Sequence, residues 1–305
     1  MKTYAMNKIL VSGATGFVGS NLVPYLEKNE FLVSPISRAQ LNSDNIDFEG
    51  VKYVIHLAGK AHDLKKTDND DEYFHVNANL TKSLFDQFLK SDCEVFIFMS
   101  SVKAVADTVE TYLDEDVLPN PLTAYGKSKL AAEKYILSKP LAENKKVYIL
   151  RACMIHGPGN QGNLNLLYKL VSKKIPYPLG NFENKRSFLF VDNLARLTMD
   201  FINQQPTSGI YNIADDTAIS TKDLVELISR CTGKKSKILN VPKFVINIFA
   251  VIGTRLSLPF NREALAKLTE NYIVNNSKVK KTLNTKCMLS TEDGLIKSIE
   301  SFKSK

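Results

Sequence analysis

The sequence predicts an α/β protein built on a doubly wound parallel sheet, with a smaller α/β region towards the carboxyl terminus. Three observations carry this. Short apolar runs alternate with longer helical patterns through the first half of the chain. Those runs are almost continuously apolar, as parallel strands covered on both faces must be. A cluster of small residues stands between the first run and the first helical pattern, where such sheets make their tightest turn.

Taken in order, residues 8–12 (KILVS), 31–36 (FLVSPI), 53–58 (YVIHLA), 95–100 (VFIFMS) and 147–151 (VYILR) predict strands. Residues 17–29, 71–90 and 124–138 predict the helices between them. The stretch from Ser37 to Lys52 is too short for a full complement of elements, since one parallel crossover alone takes about a dozen residues. A trimmed crossover is expected there. After Arg151 the loop-formers Gly157, Pro158, Gly159, Gly162, Pro176, Pro178 and Gly180 surround one helix at 164–173. A strand-like piece at 187–191 leads into a helix at 192–203, and 209–213 is a further strand. From Thr217 onward helices alternate with short connectors, without repeats. The most apolar stretch, 241–258, is interrupted by Pro242, Lys243, Asn247 and Gly253. It falls short of the ~20 clean residues of a membrane span, and a helix buried against the rest of the protein is expected.

With 305 residues, 44% of them apolar and 24% charged, the chain can bury a sizeable core. That excludes wholesale disorder, a collagen-like repeat and a disulfide-stapled miniature. The net charge of +8 is modest and scattered. It suits an acidic small ligand as well as nucleic acid, and no basic stripe interleaved with aromatics argues for the latter. Cys93, Cys153, Cys231 and Cys287 lie far apart with no CxxC pair, so neither a zinc site nor a disulfide framework is expected. The amino terminus, MKTYAMNKILVSG, has no long apolar core, and a reducing, cytoplasmic setting is expected.

The segment Gly13-Ala14-Thr15-Gly16-Phe17-Val18-Gly19 follows a strand and opens a helix. Small residues there let the backbone turn tightly and approach a pyrophosphate, whose charge sits against the helix amino terminus. This points to a dinucleotide and to a Rossmann-type sheet. Ser37 and Arg38 follow at the end of the second strand, where an acid would mark NAD. A hydroxyl and a guanidinium suit a 2′-phosphate instead. NADP(H) is therefore favoured, with NAD(H) as the alternative.

Tyr125 and Lys129 are spaced i, i+4 at the start of a helix, on one face, while Lys127 points elsewhere. A phenol is a poor acid–base catalyst at neutral pH; a neighbouring ammonium and a nicotinamide cation are expected to lower its pKa. Ser100 and Ser101 end a strand, where open α/β sheets place their ligands. His56, His62, His75 and His156 show no ligand spacing with a carboxylate, so no metal is expected.

Together, GATGFVG, HLAG at 56–59, the serine pair and YGKSK resemble the extended short-chain dehydrogenase/reductase family, specifically its nucleotide-sugar epimerases, dehydratases and reductases. The resemblance covers nearly the whole chain. It implies that Tyr125 is the acid–base, that Lys129 binds the nicotinamide ribose and tunes Tyr125, and that Ser101 holds the reacting sugar oxygen. It implies that Leu57, Ala58 and Gly59 line the cofactor, with Asn77 near its phosphates or ribose. Arg186 matches the position that contacts the substrate diphosphate, and Asn163 and Leu164 the part that grips the nucleotide. Arg262 and Lys267 lie near a region that often supplies a second phosphate-binding arginine, without aligning to it. His156 stands where relatives often carry tyrosine. Lys103 is open between a sugar contact and a surface lysine.

Sugar 4,6-dehydratases carry an Asp-Glu pair after the hydroxyl residue, where this chain has Val102 and Lys103, so dehydration is rejected. The wording of 100–103, 157–163 and 178–194 is most similar to reductases of UDP-2-acetamido-2,6-dideoxy-4-keto-hexoses, which serve surface polysaccharide biosynthesis. The resemblance thus implies an NAD(P)-dependent reductase with a UDP-sugar substrate. A UDP-sugar 4-epimerase that retains NAD is the first alternative, and a non-catalytic nucleotide-sensing protein the second. It further implies a homodimer, a dinucleotide-binding domain at 1–153 with 188–215, and a substrate-binding domain at 154–187 with 216–305.

Overall fold

A computed structural model of the protein describes residues 7–43, 45–60, 70–160, 162–258 and 260–303, leaving out the side chains of Glu263 and Lys267. The strands are β1 (Lys8–Ser12), β2 (Leu32–Ile36), β3 (Val51–His56), β4 (Val95–Ser101), β5 (Lys146–Ala152), β6 (Met154–His156), β7 (Phe188–Phe190) and β8 (Gly209–Ile213). The helices are α1 (Phe17–Lys28), α2 (Arg38–Ser43), α3 (Asp70–Phe74), α4 (Leu80–Lys90), α5 (Ala124–Leu137), α6 (Asn163–Ser172), α7 (Val191–Gln204), α8 (Thr221–Thr232), α9 (Lys243–Arg255), α10 (Arg262–Thr269), α11 (Ser277–Leu283) and α12 (Thr291–Lys303).

Six strands form one parallel sheet in the order β2-β1-β3-β4-β5-β8. Both faces are covered, which is why the strands read as unbroken apolar runs. On β1, Ile9 and Val11 join one core while Leu10 joins the other. On β4, Val95, Ile97 and Met99 face the first, with α1 and α7, and Phe96 and Phe98 the second, with α4 and α5. This is the Rossmann-type doubly wound fold that the strand and helix spacing predicts. The chain leaves β1 for β2 on one side and returns to β3 on the other, opening a crevice at their carboxyl ends.

Four local departures have physical reasons. The crossover from β2 to β3 is trimmed but still contains α2, six residues long. The helix expected at 71–90 is interrupted by a π-turn, His75–Asn79, between α3 and α4. The extra residue rotates Asn77 into the interior, a register that hydrophobic spacing does not report. The strand expected at 187–191 pairs with β6 in a separate two-stranded sheet, because β8 takes the place beside β5. Helix α9 buries only Ile246, Ala250 and Gly253 and leaves its other face in solvent.

Candidate active site

The turn after β1 is held by van der Waals limits. Gly13 has φ +69°, and a Cβ there would come within 2.7 Å of the Ala58 amide nitrogen. A Cβ on Gly19 would stand 2.3 Å from the Gly13 carbonyl oxygen. Only hydrogen fits at either place, so α1 packs tightly on the turn. The helix starts at Phe17, and Gly16 puts no side-chain cap on its first amides. A groove of about 740 Å³ runs past this turn, lined among others by Gly13, Thr15, Gly16, Ser37, Arg38, Leu57, Ala58 and Gly59. Open amides at a helix amino terminus, with no side chain in the way, suit the pyrophosphate of a dinucleotide. Phe17 and Gly19 do not line this groove.

A second cavity of about 170 Å³ is lined by Val18, Leu57, Gly59, Lys60, Met99, Ser100, Ser101, Tyr125, Lys129, Ala152, Cys153 and Ile155. It shares Leu57, Gly59 and Lys60 with the groove. A third, about 210 Å³, shares Ser101 and Cys153 with the second and adds Lys103, Arg186 and Tyr272. Side chains from five separate segments therefore converge where the parallel strands end. A larger cavity of about 800 Å³ against α8 contains none of the residues singled out in the sequence.

Helix α5 presents the reacting pair. Thr123 accepts a hydrogen bond from the Gly126 amide and caps the helix one residue before it starts. Tyr125 and Lys129 share the face towards β4, and Lys127 is exposed. Tyr125 is half-buried, its ring edge against Tyr73 at 6.4 Å. Lys129 is buried, donates to the Met99 carbonyl at 2.9 Å and sits 4.8 Å over the Phe98 ring.

The expected lowering of the Tyr125 pKa does not occur in this arrangement. Burial raises it above 10, the Ser101 hydroxyl draws it partly back through a hydrogen bond, and Tyr73 adds to the rise. The Lys129 ammonium is turned to the Met99 carbonyl. Burial takes Lys129 itself down from 10.5 to about 8, opposed by the charge of Glu133.

Other expected positions divide. Arg186 faces the third cavity with Nε donating to the Glu270 carbonyl at 3.2 Å, and burial lowers its pKa. Lys103 lines the same cavity while its Nζ donates to the Asp107 carbonyl at 2.6 Å and sits 4.3 Å over the Tyr272 ring. Asn77 lines none of these cavities. Its amide accepts from the Lys60 amide at 2.8 Å and donates to Ser128 Oγ at 3.0 Å, so it clamps the turn after β3 to α5. Leu164 is buried in the carboxyl-terminal core and Asn163 is exposed, and neither reaches a described cavity. Arg262, also exposed, opens α10 and lines none of them.

His56 is a satisfied core residue, with Nδ1 2.5 Å from Ser12 Oγ and Nε2 2.8 Å from Thr81 Oγ1. Burial takes it down to about 3, so it stays neutral. His156 is buried against Ser298 at 2.8 Å and lines none of these cavities. His75 is exposed, His62 lies outside the described residues, and no metal-holding cluster of three ligands occurs among the described residues.

Sequence reasoning missed Glu133, Arg151, Cys153 and Tyr272. Glu133 was findable, since it continues the i, i+4 series from Tyr125 through Lys129. An arginine inside the apolar run VYILRA also demands a buried partner.

The sequence model of the NAD dependent epimerase/dehydratase family matches residues 9–214. The chain belongs to that family. It is 29% identical to UDP-glucose 4-epimerase of Vibrio cholerae, over 96% of this chain and 95% of the relative. It is 24% identical to UDP-2-acetamido-2,6-beta-L-arabino-hexul-4-ose reductase of Pseudomonas aeruginosa, over 72% of this chain and 56% of that one. Two solved structures share the fold at TM-score 0.77: MoeE5 in complex with UDP-glucose and NAD, 22% identical, covering 98% of this chain and 99% of that one, and RMD from Pseudomonas aeruginosa complexed with NADPH, 18% identical, covering 98% and 100%. As a family member, the protein is an enzyme of the epimerase/dehydratase group.

Proposed function

We propose that the protein is an NADPH-dependent reductase of a UDP-2-acetamido-2,6-dideoxy-hexos-4-ulose. The observation that carries this is the small cavity lined at once by Ser101, Tyr125 and Lys129, which shares lining residues with the dinucleotide groove on one side and the Arg186 cavity on the other. The residues fit a nicotinamide dinucleotide, because the turn at Gly13 and Gly19 admits no Cβ and the amides of α1 stand uncapped. When bound, that cofactor would supply the hydride for reduction of the C4 ketone, at the cost of its own oxidation. The Tyr125 phenol gives its proton to the C4 oxygen, and the Ser101 hydroxyl holds that oxygen, so developing negative charge meets fixed donors. A phenol raised by burial stays protonated at neutral pH and serves as the acid this direction needs. Lys129 would hold the nicotinamide ribose, and Arg186 would hold the substrate diphosphate as a planar fork of donors.

Ser37 and Arg38 both line the groove, which supports NADPH and hence net reduction. In this reading residues 1–153 with 188–215 bind the dinucleotide and 154–187 with 216–305 the sugar nucleotide. A cytoplasmic location, a homodimer and a place in polysaccharide biosynthesis complete it. The likeness to the Vibrio cholerae enzyme over nearly the whole chain favours a second reading, a UDP-sugar 4-epimerase. Incubation with UDP-2-acetamido-2,6-dideoxy-4-keto-hexose and NADPH decides between them. Loss of reduced-nicotinamide absorbance equal to sugar consumed supports the reductase. Tightly held NAD with interconversion of UDP-sugars, and no demand for reductant, supports the epimerase.

A further inference from the structure

Helix α9 is apolar on both sides, which a helix packed on one side of a globule need not be. Its inner face is buried through Ile246, Ala250 and Gly253. Its outer face carries Phe244 (66% exposed), Ile248 (53%), Phe249 (59%) and Ile252 (44%), and Leu256 (65%) follows at its carboxyl-terminal cap. Four of these recur every fourth residue, so they form one stripe along the helix. Scattered exposed apolar residues are ordinary; an aligned series of this size marks a docking surface.

The surrounding charge says what docks. Between Glu226 and Glu263 the chain carries seven basic residues, Arg230, Lys234, Lys235, Lys237, Lys243, Arg255 and Arg262, and no acidic one. Arg230 is paired with Glu292 across to α12. The other six flank the stripe in sequence at both ends; among them Lys235 shares a cavity with Asp223 and Glu226, and Lys243 lies over the Phe182 ring. A second copy bound face to face would set this basic band against itself. An acidic surface with an apolar interior fits both features, and an anionic lipid bilayer is that surface.

We propose that α9 and its basic flanks dock the protein on anionic membrane surfaces, with the exposed stripe in the boundary between headgroups and acyl chains. The helix lies on the bilayer and does not cross it. Thirteen residues span about 20 Å, short of the ~30 Å hydrocarbon core. No helix among the described residues is long and apolar enough to cross a membrane. The inference is independent of the chemistry at Tyr125, since none of these residues lines the three cavities at the sheet's edge.

The test is flotation of the full chain with vesicles of phosphatidylcholine alone or mixed with phosphatidylglycerol, at low and high salt. The expected result is recovery with the mixed vesicles, reduced about tenfold by neutral lipid or high salt. Ile248→Asp and Phe249→Asp are expected to abolish recovery, and Lys234→Glu with Lys235→Glu to reduce it. Cofactor-dependent activity in solution should be unchanged in all four substitutions, which shows that they fold. The proposal is overturned if the wild-type chain stays out of the mixed vesicles at low salt, or if the Asp variants float as well as the wild type. It is equally overturned if those variants convert a dimer to a monomer in lipid-free gel filtration while the wild type ignores vesicles, because the stripe is then an interface between copies.

Discussion

Glu133 on α5 and Arg151 on β5 form a two-point ion pair in the core, with Nη2 2.7 Å from Oε2 and Nε 3.1 Å from Oε1. Both side chains are almost wholly excluded from water. Ser100, which the sheet register sets opposite Arg151, donates its hydroxyl to the same carboxylate. One acid thus holds the end of β4 next to Ser101 and biases the charge on Lys129 one turn earlier. The pair is a positioning device for the site.

Removing one partner should cost much more than removing both. Glu133→Ala leaves a buried guanidinium uncompensated, and an expected loss of about 3–5 kcal/mol follows from such breaks. Glu133→Leu combined with Arg151→Met should recover most of that, because no charge is left in the core. Urea unfolding of the variants checks this, and a double variant as unstable as the single one refutes the charge argument.

The pH dependence of Lys129 follows from burial. In the folded chain it titrates near 8, against 10.5 ordinarily. Between those values the unfolded chain binds the proton and the folded one does not, so stability rises with pH across that window. Below pH 8 the burial cost is present in full. Relative to Lys129→Met, the wild type should therefore gain roughly 2 kcal/mol between pH 7 and pH 9.5. A difference that stays flat across this range is the contrary result.

Tyr125→Phe removes one oxygen from the small cavity. Turnover should fall by roughly 10²–10⁴, the usual contribution of a positioned acid. The cofactor groove is built from other residues, so nucleotide affinity should change by no more than about threefold. Single-turnover kinetics and fluorescence titration separate the two effects. Turnover at the wild-type level removes Tyr125 from the mechanism.

The sheet was legible because parallel strands covered on both faces leave unbroken apolar runs, and the runs at β1, β4 and β5 fall where expected. The glycine turn was legible because its backbone excludes every side chain but hydrogen. What escaped is what local pattern does not encode. The π-turn shifts Asn77 by one residue within a helix whose spacing looks regular, and its side chain clamps the turn after β3, at Lys60, to Ser128. The direction of the Tyr125 shift follows first from burial of the phenol, which the i, i+4 spacing with Lys129 does not report. The outer face of α9 read as core because apolar composition does not tell a buried surface from a docking one.

Cofactor preference should rest on Arg38 more than on Ser37. Both line the groove at the carboxyl end of β2. The Ser37 hydroxyl already donates to Gln40 Oε1 at 2.8 Å and accepts from the Gln40 amide at 3.2 Å, which starts α2. Its capacity is largely spent on the turn. Arg38 is exposed, and it lines the groove. A charge-assisted bond to a 2′-phosphate contributes about 1.5–3 kcal/mol, so Arg38→Ala should weaken NADPH binding by roughly 10- to 150-fold. NADH carries no such phosphate, and its affinity should stay within about twofold. Ser37→Ala should discriminate less, because the variant loses more of the turn than of the ligand. Titration of each variant with both reduced nucleotides reads the ratio directly. An Arg38→Ala variant that loses both nucleotides equally would show that Arg38 shapes the groove without reading the phosphate, and NAD(H) would then be the favoured cofactor.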